Sequence, residues 1–338
     1  MNVKDVRKEA KNRFNGICRV CRECNGLACA GEFPGIGGVG SGLSFMNNYK
    51  ALAALSVKMR VVHAASAPET SVTLLGQKLS MPILGAVVAG AKMNFREIVS
   101  EEELATAFIA GAQEAGTLAM TGDAPDPLIY TTGLQVVQAH GGHGIPITKP
   151  RDQASIVANL RQAEVAGCAA VGIDLDAAGI LPMRAAGQSV EPKTVAQLKE
   201  LVQSTALPLI LKGIMSVEDA LAAREAGAAA IVVSNHGGRV LDHTPGTADV
   251  LPQIAQAVRS DLVVLADGGV RSGVDVLKML ALGAHAVLVG RPLAIGAIGA
   301  GTDGVRLTLE QICNELKVAM IYTGCASVGE IGEGVLWK

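Results

Sequence analysis

The sequence predicts a (β/α)8 barrel preceded by an N-terminal extension, and three observations carry that prediction. Eight short runs rich in Val, Ile, Leu and Ala recur with a regular beat from about residue 82 onward. Amphipathic stretches separate them, so the runs read as parallel strands buried on both faces. Polar and glycine-rich residues gather where five of the runs end, as they do where the loops after barrel strands assemble a site.

The strands are expected at residues 82–88, 117–121, 145–148, 169–175, 207–212, 230–234, 262–267 and 286–289, with helices between them such as 101–115, 152–166, 193–204, 217–226 and 274–282. Eight such units favour a closed barrel over an open sheet. At 338 residues the chain is long, yet α/β barrels commonly exceed 250 residues as one domain. The division expected is an extension over residues 1–60, holding a cysteine cluster and a Gly-rich loop, and a barrel over residues 61–338. A composition of 49% apolar and 3% aromatic residues, with 40 glycines, suits a core of small and β-branched side chains under many tight turns.

Charge excludes some partners. A net charge of -2, with no basic block interleaved with aromatics, argues against nucleic acid and anionic membranes. Mean hydropathy is high at +0.36, but no run of eighteen predominantly apolar residues occurs and the first thirteen residues are charged throughout. The expectation is a cytoplasmic protein without a signal peptide.

The chemistry lies at the strand ends. The seventh strand runs into Asp267-Gly268-Gly269-Val270-Arg271 and the eighth into Gly290-Arg291-Pro292. Glycine lets backbone amides approach an anion, and guanidinium donates two hydrogen bonds to a phosphate, so the pair of turns reads as a phosphate site. Glycines also end strands with no ligand near; the same chemistry repeated on adjacent strands favours the phosphate. The sixth strand ends in Ser234-Asn235-His236-Gly237-Gly238-Arg239. A histidine titrates near working pH, and an arginine three residues on can hold a carboxylate beside it. An isolated histidine is more often structural, but Lys212 at the end of the neighbouring strand adds a cation able to stabilise developing negative charge.

These residues, with Lys212-Gly213, Leu241-Asp242, Ala281-Leu282-Gly283-Ala284 and a stretch from Thr70 to Ile83, closely resemble the FMN-dependent 2-hydroxy acid oxidase and dehydrogenase family. That is the group of glycolate oxidase, lactate oxidase and mandelate dehydrogenase. The resemblance implies FMN, with Lys212 near the flavin N1 and O2 edge, Ser234 and Ala89 at the flavin, and Asp267 on the ribityl chain. Gly268, Gly269, Arg271, Gly290 and Arg291 would surround the phosphate. It further implies oxidation of a 2-hydroxy acid to a 2-keto acid, with two electrons passing to flavin N5 and an unidentified electron acceptor. In that scheme His236 is the base, Asp176 stabilises its imidazolium, Arg239 grips the carboxylate and Lys212 supports the reduced flavin. A homo-oligomer, tetramer or octamer, is implied as well.

The chain also departs from that family. Its substrate-pocket tyrosines are missing: the N-terminal position falls at about Val39, and the third strand offers Pro146 or Thr148. The loop after Asp176 is short, and Arg184 stands at the wrong spacing to replace a second pocket arginine. Cys18, Cys21, Cys24 and Cys29 form a C-x2-C-x2-C-x4-C run that the family does not ordinarily carry. Such spacing suits an Fe-S cluster or Zn, with redox-active or unliganded thiols as alternatives. Gly35-Ile36-Gly37-Gly38-Val39-Gly40 fits G-x-G-x-x-G literally, but no strand precedes it, so it reads as a glycine loop over the site rather than a dinucleotide fingerprint. His140 and His143 read as loop residues. Two other functions stay open at this point: an isomerase-type FMN enzyme without net redox, and a non-catalytic flavin or metal-binding protein.

Overall fold

The computed structural model describes residues 1–337; Lys338, the end of the expected second segment, lies outside the described residues. Helix α1 (Val3–Phe14) starts at Asn2, whose side chain accepts from the Lys4 and Asp5 amides while Asp5 reaches back to the cap. Val6, Ala10 and Phe14, spaced by four, form its buried face. That face meets the last long helix, where Gly299 lets the Val6 carbonyl come in so close that a Cβ would sit 2.3 Å from it. Helix α2 (Leu43–Ala54) lies beside the carboxyl ends of the barrel.

A hairpin of β1 (Val72–Leu74) and β2 (Gln77–Leu79) follows, turning through Leu75 and Gly76, both at positive φ, as two-residue hairpins require. Leu74 and Leu79 pack onto the barrel interior and close one end. The barrel strands are β3 (Ile83–Gly85), β4 (Met120–Thr121), β5 (Ile145–Thr148), β6 (Val171–Asp174), β7 (Leu209–Ile214), β8 (Ala230–Val233), β9 (Val263–Ala266) and β10 (Ala286–Val289). Every pair is parallel and neighbours follow chain order, with β10 against β3 and a Gly85–Ala119 bridge joining β3 to β4. This is a (β/α)8 barrel. Its interior is filled by small and branched residues such as Ile147, Ile210, Val232 and Leu288, and its other face by the larger helix-packed core.

The strands occupy the expected places; the third and eighth keep the expected bounds and the others shift by one to three residues at an end. The first stops at Gly85, because residues 86–89 peel away to line the cleft above. The second keeps its expected end at Thr121, where Gly122 lies so close to Val87 and Ala89 that a Cβ would meet both within 2.8 Å, and begins only at Met120. The fifth instead runs two residues further, to Ile214, through a bulge between Lys212 and Ile214. Gly213 sits in that bulge at φ +100, and a side chain there would meet Asp176 at 2.5 Å. Bulges of this kind re-aim side chains beside functional sites.

Helices fall at Glu101–Glu114, Gln153–Val165, Val195–Gln203, Val217–Ala226 and Gly273–Ala281, each within two residues of the sequence reading. Capping boxes at Ser100/Glu103, Thr194/Gln197 and Ser272/Asp275 fix three of their starts. The segment Arg291–Thr323 is two helices meeting at Ala300 and Gly301, which leave helical geometry.

Candidate active site

A cleft of about 1040 Å3 opens at the carboxyl ends of the strands. His236 enters it from just beyond β8, held at φ +58, a conformation few non-glycine residues adopt. Its own amide donates to Ser234 Oγ at 3.0 Å. Its Nδ1 lies 2.9 Å from Asp176 Oδ1. A carboxylate only accepts, so Nδ1 carries the hydrogen and Nε2 keeps a free lone pair. Burial and then Lys212 push the His236 pKa down, against the pull of Asp176 and Asp174. The imidazole is therefore neutral at neutral pH and able to take a proton.

Beneath it lies a charge relay of a different kind. Asp174 at the end of β6 is 1% exposed and takes a lysine on each oxygen: Lys212 Nζ at 2.8 Å and Lys149 Nζ at 2.7 Å. Burial works against the Asp174 anion, but Lys149 and Lys212 outweigh it and drive its pKa far below the usual range. Burial likewise opposes the Lys212 charge, and Asp174 with Asp176 overcomes it and raises the pKa. Lys212 thus stays cationic, 3.5 Å from His236 Nδ1. Lys149 was not singled out in the sequence; it follows Thr148 at the end of β5, and its position at a strand terminus was the available signal. Asp123, also in the cleft wall, is clamped by Arg151 through two bonds of 2.8 Å.

Arg239 reaches into the cleft from beyond β8. It donates to the Gly35 carbonyl and, at 2.8 Å, to Asn94 Oδ1, and its guanidinium lies 4.8 Å from the centre of the Phe33 ring. Burial and then Arg291 bring its pKa down to about 9. Arg291 donates to the Ile36 and Gly37 carbonyls at 2.8 and 3.2 Å and stacks on Phe45 at 3.7 Å. The glycine loop is thereby strapped over the barrel mouth by two arginines, and Val39 N–H adds a bond to the Gly238 carbonyl. Its glycines serve close packing: a Cβ on Gly37 would lie 2.0 Å from the Cys29 carbonyl.

At β9 and β10 the expected phosphate turns lie side by side. Gly268 and Gly269 hold φ of +94 and +87, and Arg271 follows them. Arg271 Nε and Nη2 are buried with no hydrogen-bond partner, as is Asp267 Oδ1. Buried guanidinium donors without a partner cost several hydrogen bonds, so this end of the cleft is built for an anion. Three arginines converge here (239, 271 and 291), and none is paired with a carboxylate among the described residues. The donor set fits FMN. Arg271, Arg291 and the glycine amides would hold its phosphate, Asp267 a ribityl hydroxyl, and Lys212 the far edge of the ring.

A sequence model of the FMN-dependent dehydrogenase family matches residues 36–189 and 181–338. The chain belongs to the FMN-dependent dehydrogenase family. A 4-hydroxymandelate oxidase of Amycolatopsis orientalis is 34% identical over 332 residues, covering 87% of this chain and 89% of that protein. A peroxisomal (S)-2-hydroxyacid oxidase of Arabidopsis thaliana is 50% identical over 127 residues, 38% of this chain and 35% of that protein. The solved structure of mandelate oxidase superposes with a TM-score of 0.80 at 31% identity, covering 99% of this chain and 97% of that one. The family match starts at residue 36, so the four clustered cysteines precede it.

Other expected residues are placed as follows. Ala89, Asp267, Gly268, Gly269, Gly290 and Arg291 line the cleft. Ser234 does not: it is fully buried and acts in the wall, through the His236 amide. Arg184 is exposed and Val39 is tied to Gly238, so neither replaces a family pocket residue. His143 bonds the Thr117 carbonyl and His140 the Gln113 side chain, in keeping with loop roles. Cys18, Cys21, Cys24 and Cys29 are free thiols lining a second cavity behind Arg291. Among the described residues no three of their sulfurs lie within 4.8 Å of one another, so they are not gathered as they would be around one bound ion, where sulfurs 2.3 Å from it stand about 4 Å apart.

One consequence concerns Arg271. Removing a guanidinium that makes charged hydrogen bonds to a phosphate costs ~1.5–3 kcal/mol, or about 10–100-fold in affinity. Arg271→Ala is expected to weaken FMN retention by that factor, measured by flavin fluorescence on dilution; unchanged retention would separate this end of the cleft from the phosphate.

Proposed function

We propose that this chain oxidises a 2-hydroxy acid to a 2-keto acid, and the observation that carries the reading is His236 Nδ1 held by Asp176 with Nε2 left free in the cleft. Bound FMN supplies a two-electron acceptor. Arg239 and Lys149, both lining the cleft, offer cations to the substrate carboxylate, and this fixes the hydroxyl-bearing carbon near the base. His236 Nε2 takes the proton, and Asp176 stabilises the imidazolium that results. Lys212, kept cationic by Asp174, balances negative charge that builds at the ring edge. Phe33, Met93 and Met183 give the rest of the pocket an apolar wall in place of the family's tyrosines, which favours an acid with a larger apolar group than lactate.

Anaerobic addition of a panel of 2-hydroxy acids to the FMN-loaded protein tests the reading. Rapid bleaching of the flavin with one of them is expected; no bleaching with any acid refutes it and leaves chemistry without net redox.

The same histidine sets a pH profile. Its pKa lies below the ordinary 6.5, so the base form survives into mildly acidic solution and is lost only as pH falls through the depressed value. The acid limb of kcat/KM is expected below pH 6.5, measured by initial rates across pH 4.5 to 8. A limb above that value would point to another base.

We further read the protein as cytoplasmic and homo-oligomeric, a tetramer or octamer. Seven free cysteines suit a reducing compartment, and no helix is long and apolar enough to cross a membrane. Met59, Val61, Val62, Tyr322 and Trp337 are exposed along one edge, where a copy could cover them. Light scattering during size-exclusion chromatography tests the assembly. The four clustered thiols are read as metal-binding in that compartment.

A further inference from the structure

We propose that Cys18, Cys21, Cys24 and Cys29 bind a [4Fe–4S] cluster that draws electrons one at a time from the reduced cofactor in the adjoining cleft. The relay half of this rests on the flavin reading above; the binding half does not.

The four side chains line one pocket, with Gly26, Ile36, Arg291 and Ile295 among the residues of its wall. All four are partly buried, and each of the other three sulfurs shifts the Cys18 thiol electrostatically, so the quartet shares one neighbourhood. Thiolates on a single tetrahedral ion crowd to about 4 Å, whereas those on the corners of a four-iron cubane stand about 6 Å apart. No three of these sulfurs come within 4.8 Å of one another among the described residues, yet they face a common space. Four thiols around one shared space, not drawn together onto a point, leave room for a group larger than a single ion.

The surroundings match the same ligand. Val20 N–H donates to Cys18 Sγ at 3.4 Å, from a β-branched residue held at φ +46. Amides aimed at sulfur tune clusters of this type. Arg7 of α1 pins the loop by bonding the Cys21 carbonyl at 2.8 Å, and Arg19 pairs with Glu32 across it. Arg291 supplies a cation at the cavity wall.

Arg291 also lines the cofactor cleft, so the two cavities share a wall residue. Oxidation of one 2-hydroxy acid releases two electrons and two protons. The protons leave through His236 and solvent. The two electrons leave in succession through the cluster to two equivalents of a one-electron carrier, which restores the oxidised cofactor.

Anaerobic reconstitution of the FMN-loaded chain with ferrous iron and sulfide is expected to give about four irons and four sulfides per chain, with visible absorption beyond the flavin bands. Cys18→Ser and Cys24→Ser should each lose iron and keep flavin; Cys168→Ser, at a buried cysteine elsewhere in the barrel, should keep both. Iron no higher than in the double variant Cys18→Ser/Cys24→Ser, or a single zinc bound in its place, overturns the site. The relay is read without substrate, by illuminating the anaerobic holoprotein with EDTA. A reduced-cluster signal in low-temperature paramagnetic resonance should rise as the flavin bleaches, and should be absent in Cys24→Ser. Flavin that bleaches while the cluster stays oxidised overturns the relay. If no acid bleaches the flavin but light reduces the cluster, the substrate assignment fails and the site stands.

Discussion

His236→Asn is expected to slow anaerobic flavin reduction by about 10²–10⁴-fold while FMN stays bound, because it removes the group that takes the proton and touches none of the phosphate contacts. Asparagine is the informative replacement, since residue 236 sits at φ +58 and Asn tolerates that region better than other non-glycine residues. Stopped-flow absorbance at saturating substrate measures the rate, and flavin content measures binding. A rate within threefold of the parent would remove His236 from the base role. Asp176→Asn sharpens the result. Asp176 raises the His236 pKa, so losing its charge should move the acid limb of kcat/KM to lower pH as well as slow the reaction. A variant that is slower with an unmoved limb would make Asp176 a packing residue only.

Asp174→Asn is expected to destabilise the fold by ~3–5 kcal/mol, the usual cost of breaking a buried ion pair by removing one partner. The loss is large because two lysines depend on this carboxylate: Lys149 and Lys212 both bond it, and Lys212 is 2% exposed. In the variant the Lys212 ammonium is buried beside a neutral amide, and its folded-state pKa falls below the unfolded one. The penalty is then full at neutral pH and shrinks as pH rises toward the ordinary lysine value, 10.5, where the unfolded chain loses its protons too. Urea midpoints at pH 7 and pH 9.5 check both parts. A midpoint within 0.3 kcal/mol of the parent at pH 7 would show that the lysines find another partner. Weaker flavin binding is expected alongside, because Lys212 loses the group that orients it.

Much of this molecule was legible from local pattern. Periodic apolar runs between amphipathic stretches give barrel strands, since a parallel strand is buried on both faces and its sequence cannot alternate. Strand ends then mark the site, which is why His236, Arg239, Lys212, Asp267, Arg271 and Arg291 could be named together. Lys149 escaped because a lysine at a strand end looks like surface charge until Asp174 is seen beside it. Ser234, which the resemblance places at the flavin, is buried and accepts from the His236 amide, a contact that no spacing along the chain announces. The strand limits at 85 and 214 depended on tertiary context, since residues 86–89 turn into the cleft and the bulge at Gly213 sits against Asp176.

By itself, then, the sequence determined the barrel, the phosphate-type turns and the base with its neighbours, because each of those is written in residues close together or repeated along the chain. Tertiary structure alone decided three things. It placed Asp174 between two lysines from different strands, it tied the glycine loop across the barrel mouth with Arg239 and Arg291, and it spread four clustered cysteines around one cavity. Those are distances between residues remote in sequence, and spacing along a chain sets no such distance until folding closes it.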